Sequence, residues 1–136
     1  MPSAPIYASR LLRDPGQTYR QIDMAGRTAT ADGPALVQLL YEELVAALRA
    51  GAHAAERGQY AVRSERVTRA TAILFALEAG LDHDAGGGVS VTLARLYAGA
   101  RATVLAAAMG DDPRPLRDTA DTLEDIAGAW RQARAA

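Results

Sequence analysis

Two histidines, His53 and His83, are the only imidazoles in this chain of 136 residues, and cysteine is absent. A di-metal carboxylate centre in a helical protein takes inward Glu residues and Glu-x-x-His pairs, which set two ligands one turn apart on one helix face. Here Ala50 stands three positions before His53 and Gly80 three before His83. Glu42 and Glu43 flank an apolar stripe rather than entering it, and Asp82-His83-Asp84 reads as a solvated loop. No metal and no cofactor is expected. Gly86-Gly87-Gly88 lacks the Lys-Ser/Thr of a phosphate loop and the strand–turn–helix setting of a dinucleotide site, so it reads as a flexible turn. Thiol nucleophiles and disulfides are excluded. Acid–base catalysis needs carboxyls converging in a pocket, and narrow Ala-rich helices leave little pocket volume. The chain is not expected to be an enzyme.

Charge and hydropathy narrow the class further. A net charge of -1 argues against a general nucleic-acid binder, which concentrates basic surface. Every basic residue is Arg, a side chain suited to fixed planar contacts. Residues 1–17 hold no continuous apolar core, so a secretory signal is not expected. The Ala-rich run from Ala98 to Met109 is interrupted by Arg101 and falls far short of a membrane span. A cytoplasmic protein with no membrane insertion is the expectation.

The elements that position these side chains are helical. Ala, Leu, Arg and Glu dominate and β-branched runs are missing, which favours helix because Ala loses no rotamer freedom there. Pro2, Pro5, Pro15 and Gly16 make residues 1–17 a flexible arm, and 18–136 a single helical domain. Thr18 to Arg27 suits a short helix. The first long helix is predicted to start at Asp32, whose carboxylate can cap first-turn amides, with Pro34 tolerated just inside. Val37, Leu40, Leu44, Leu48, Gly51 and Ala55 form its inward stripe, and Gly58 ends it. A second helix spans Tyr60 to Leu81, with Val67, Ala70, Leu74, Leu77 and Leu81 inward. Asp82 to Gly88 is predicted to be non-helical. A third helix covers Val89 to Met109 on Leu93, Leu96, Ala100, Val104 and Ala107. After the stop–start segment Gly110 to Pro115, a fourth uses Leu116, Leu123, Ile126, Ala127 and Trp130, the last as a plug at the bundle end. The architecture predicted is all-α, an antiparallel up-down four-helix bundle with a short N-terminal helix or arm.

Apolar residues off these stripes carry the functional signal. Leu39 points away from the first stripe, Leu36 and Tyr41 sit on its edges, Phe75 lies opposite Leu74 and Leu77, Leu105 is off-stripe, and Tyr97 is at the edge of the third. Contiguous exposed apolar residues mark a partner surface, whereas single ones mean nothing. Arg63, Arg66 and Arg69 form a basic ridge, and Asp118, Asp121, Glu124 and Asp125 an acidic face, both read as solvated.

In their order these blocks resemble the flagellar secretion chaperones of the FliS family. The resemblance runs from Tyr19 through Thr30-Ala31-Asp32-Gly33-Pro34 and Leu40-Tyr41-Glu42. It continues through Arg63-Ser64-Glu65, Arg69-Ala70, Ile73-Leu74 and Leu77, then Leu81-Asp82, Gly86-Gly87, Leu93-x-x-Leu96-Tyr97 and Ala129-Trp130. Pro34 falls one position later than in the family pattern, and Ser64 and Thr92 replace Asn.

The resemblance implies a cytoplasmic export chaperone. It would bind the disordered C-terminal segment of flagellin, prevent premature polymerisation and present the client to the flagellar export apparatus. Recognition would be helix-in-groove, coupled to folding of the segment. The expected groove residues are Tyr19, Ile22, Leu36, Leu39, Tyr41, Phe75, Leu93 and Tyr97, with Tyr41 and Tyr97 at the rim, rings inward and hydroxyls toward the ligand. The alternative is a self-associating structural or adaptor bundle, in which a homodimer or another amphipathic helix covers Leu39 and Phe75.

Overall fold

A computed structural model describes residues 33–135. Four helices follow one another: α1 (Gly33–Glu56), α2 (Tyr60–Ala79), α3 (His83–Ala107) and α4 (Arg114–Ala135). Among the described residues there is no strand. The arm, the short helix and the Asp32 cap expected from sequence lie outside the described residues, as do Tyr19 and Ile22.

Each boundary has a local cause. At the end of α1, Gly58 takes φ 68°, the left-handed region that a side chain disfavours. The Gln59 amide then donates to the Ala54 carbonyl at 2.8 Å and Gly58 to Ala55 at 3.1 Å. That pair of bonds is the Schellman closure of a helix end. At the start of α4, Pro113 needs no amide partner, and the Asp112 carboxylate accepts from the Arg114 amide at 3.0 Å. Hydrogen bonds from the Arg114 side chain and amide, helped by its charge, hold the Asp112 carboxyl below its usual range.

The segment 82–88 departs from the sequence expectation. Helical structure begins at His83 and is broken only at Gly87, with φ 54° and ψ -127°. Asp82 supplies the start: its carboxylate accepts from the Asp84 amide at 3.1 Å and its carbonyl from Gly86 at 2.8 Å. Ser90 Oγ returns to the same carbonyl at 2.8 Å. The glycines suggested a loop, but a capping aspartate one residue ahead wins a turn of helix before Gly87 redirects the chain.

The helices pack in chain order around one core. α1 lies against α2 and α4, and α3 against α2 and α4. Glu43–Arg69 ties α1 to α2, while Arg49–Asp121 and Glu56–Arg117 tie α1 to α4 in reversed order, as an antiparallel arrangement requires. Arg101–Glu78 ties α2 to α3. Each such half-exposed pair contributes at most about 1 kcal/mol; apolar burial holds the fold. Leu40, Leu44, Leu48, Ile73, Leu74, Val104, Leu116 and Leu123 are fully buried, with Val37, Leu81, Leu93, Leu96, Ile126 and Trp130 packed at the margins. Gly51 is buried where α1 meets its neighbours, and a Cβ there would rest in ordinary contact, 3.4 Å from Arg66 Cβ and 3.6 Å from Leu116 Cδ1.

Arg63 overturns the reading of the α2 arginines as a solvated ridge. It is 9% exposed, and its guanidinium donates to the carbonyls of Gly110 and Ala108, the latter at 2.8 Å. It also lies 4.7 Å from the centre of the Tyr60 ring. A planar fork thus satisfies carbonyls that the end of α3 leaves open. Arg69 pairs with Glu43, and Arg66 alone of the three is exposed and solvated.

Candidate functional site

The outer surface over α2 and α3 is where apolar side chains meet water. Phe75 is 37% exposed, and the Arg101 guanidinium lies 5.5 Å from its ring centre while pairing with Glu78. Phe75, Glu78, Ala79, Leu81, His83 and Arg101 line a depression of about 300 Å³. A cation held against the ring face by a carboxylate keeps the ring fixed and leaves its edge available for contact.

α3 carries a second apolar stripe. Its inward face is Leu93, Tyr97, Ala100, Val104 and Ala107. About a third of a turn away run Val91, Ala94, Ala98 and Leu105, with Met109 following just past the helix end. Val91, Leu105 and Met109 are exposed, Leu105 at 49%. Helical spacing aligns these residues on the flank beside α2, where Arg101 and Phe75 stand. A helix that packs on one face has no folding use for a second.

A smaller cavity lies where the start of α1 meets the end of α4. Pro34, Val37, Gln38, Trp130 and Ala133 line an open, largely apolar pocket of about 260 Å³. Gln38 is 7% exposed, and neither its Nε2 nor its Oε1 has a hydrogen-bond partner.

At the centre, Tyr41 and Tyr97 are buried and their hydroxyls bond at 2.6 Å. Their rings meet edge to face at 6.2 Å, and Trp130 lies 4.7 Å from the Tyr41 ring. Burial pushes the Tyr97 phenol above its ordinary value, and the bond to Tyr41 offsets part of that. Metal ligands do not converge: among the described residues no group of His, Asp and Glu could hold an ion. Among them, too, no helix is long and apolar enough to cross a membrane.

The residues singled out in sequence therefore separate. Phe75 reaches the surface; Leu39 is half-buried outside the core, and Leu93 is half-buried on its margin. Leu36, Tyr41 and Tyr97 are core residues. The expected rim position of the two tyrosines is corrected: each hydroxyl faces the other across the core, because mutual pairing satisfies two buried polar groups at once. Trp130 plugs the bundle end by packing on Tyr41. Sequence reading overlooked Val91 and Met109, whose spacing from Leu105 was the available signal, and Gln38, whose type gave none.

Comparison with known proteins places these features. The family model described as "Flagellar protein FliS" matches residues 15–136. The chain is 27% identical over 116 residues to the flagellar secretion chaperone FliS of Vibrio cholerae serotype O1, covering 85% of each chain. It is 26% identical over 117 residues to the protein of the same name from Salmonella typhimurium, covering 85% of this chain and 87% of that one. With a match that spans nearly the whole sequence and all four helices, the chain belongs to the FliS family of flagellar proteins.

Proposed function

We propose that this chain is a cytoplasmic secretion chaperone whose client is flagellin. It holds the client's disordered C-terminal segment, blocks premature polymerisation and delivers the complex to the flagellar export apparatus. The relatives' role as flagellar secretion chaperones supports the general reading. The structural observation that carries it is the second apolar stripe of α3, Val91 to Met109, next to Phe75 on α2.

The role is binding without bond chemistry. A disordered segment that turns helical on this flank buries its own apolar face against Phe75 and Leu105, and ordering its backbone consumes part of the contact energy. Arg101 offers a charge-assisted contact at the margin. Leu39 and Leu93 extend the apolar surface onto other faces, as a segment that wraps the bundle requires. Leu36, Tyr41 and Tyr97 act from below, fixing the helices that present it.

Filament assembly tests the reading. Purified flagellin monomer seeded with filament fragments should stop elongating when an equimolar amount of the chain is added. Elongation at an unchanged rate would contradict the proposal.

A further inference from the structure

We propose that Tyr60 is a second anchor of the client surface, and that with Phe75 it selects a client helix of about four turns; this rests on the chaperone reading above. Among the described residues the two exposed aromatic rings are Tyr60 and Phe75, at 47% and 37%. Both belong to α2, and each has a guanidinium over its ring. Arg63 lies 4.7 Å from the Tyr60 ring centre and is held there by the carbonyls of Ala108 and Gly110. Arg101 stands over Phe75 in the same way, held by Glu78. A ring braced by a cation that is itself fixed loses little freedom when a partner covers it.

The two braces also locate the rings against α3. Arg63 sets Tyr60 beside the end of that helix, next to the exposed Met109. Arg101 sets Phe75 beside its middle. Helical rise and turn put the two rings about 22 Å apart along α2 and within about 60° of one face. Between them the outward stripe of α3 runs through Ala98, Ala102 and Leu105, low at first and bulkier toward Tyr60.

That relief selects its occupant. The backbones of α2 and α3 are bonded within each helix, so an extended chain would find no partners for its amides there. A helix needs none and lays one apolar face on the flank. It crosses the span in about fifteen residues, so the side chains that meet the two rings stand about fourteen positions apart. A long apolar side chain between them fits over Ala98 and Ala102, where α3 offers least bulk.

The test is NMR and calorimetry of the full-length chain with a synthetic peptide of the C-terminal flagellin segment. Phe75 is the one phenylalanine in the sequence, so its ring protons are identified directly. Intermolecular contacts from the Tyr60 and Phe75 rings should reach two apolar peptide residues about fourteen positions apart, within a stretch that has helical chemical shifts. Tyr60→Phe keeps the ring and should bind like the wild type, whereas Tyr60→Gln should bind about tenfold more weakly. No binding by the wild-type chain would sink the chaperone reading itself. Tight wild-type binding with no peptide contact at Tyr60 would overturn this inference alone, as would undiminished affinity in Tyr60→Gln. Contacts to residues about seven positions apart, the spacing of an extended chain, would overturn it too. Tyr60 shifts that follow chain concentration without peptide, or removal of residues 1–32, would overturn it by naming another occupant.

Discussion

Tyr41 on α1 and Tyr97 on α3 join hydroxyls at 2.6 Å across the diagonal of the bundle, between helices that are not neighbours in the packing order. Trp130 of α4 leans on the same Tyr41 ring at 4.7 Å, so one aromatic group ties three helices. The arrangement fixes the separation of elements whose outer faces carry the apolar surface.

Tyr41→Phe strips the buried Tyr97 hydroxyl of this partner and should cost about 1–3 kcal/mol, whereas Tyr97→Phe should cost about 0.5–1.5 kcal/mol. The double variant should lose less than the sum of the two. Urea unfolding of the three variants measures this cycle, and strict additivity would show that the pair is not coupled.

The Tyr97 phenol has its pKa raised by burial above the ordinary 10.0. The folded state therefore favours the protonated form, and that contribution is complete below pH 10.0. As pH climbs past that value the unfolded phenol ionises first, so stability must fall until the folded pKa is passed. Melting temperature should be level through mildly alkaline pH and then decline, with a shallower decline in Tyr97→Phe.

Arg63→Lys keeps the charge and loses the planar fork that reaches both Ala108 and Gly110. The loss should be about 1.5–3 kcal/mol by chemical denaturation, as expected for bonds from a charged donor at a helix end. A change within about 0.5 kcal/mol would mean that water serves these carbonyls equally well.

Two glycines should respond with opposite signs. Gly51 is helical with ordinary contact distances awaiting a methyl group, so Gly51→Ala should stabilise by about 0.5–1 kcal/mol. Gly87 has φ 54° and ψ -127°, and Gly87→Ala should destabilise by about 1–3 kcal/mol. Thermal unfolding of both variants compares them directly.

The bundle was legible because its signals are local. Leu40, Leu44 and Leu48 recur at helical period, Gly58 stops α1, and Pro113 with Asp112 starts α4. Asp82 was legible in principle, but three glycines after it obscured a single capping carboxylate. The proposed binding surface was only half legible. Phe75 and Leu105 declare themselves by standing off-stripe, whereas the inward rotation of Tyr41 and Leu36 depends on where α2, α3 and α4 settle. Arg63 and Gln38 are matters of tertiary packing. Nothing in an Arg or Gln codon position tells that neighbouring helices will seal it from water.

On the outer face, Phe75→Gln and Leu105→Gln should leave stability within about 0.5 kcal/mol for the well-exposed Leu105 and slightly lower for Phe75. Each should weaken client binding about tenfold, in proportion to lost apolar contact. Equal affinity in both variants would remove the α2–α3 flank from the binding surface.

The most direct test of the chaperone account is calorimetric titration of the chain with the flagellin of the same organism, full-length and then lacking its C-terminal segment. The account predicts one-to-one binding that disappears with the truncation. Binding that survives the truncation, or none to either form, would contradict it.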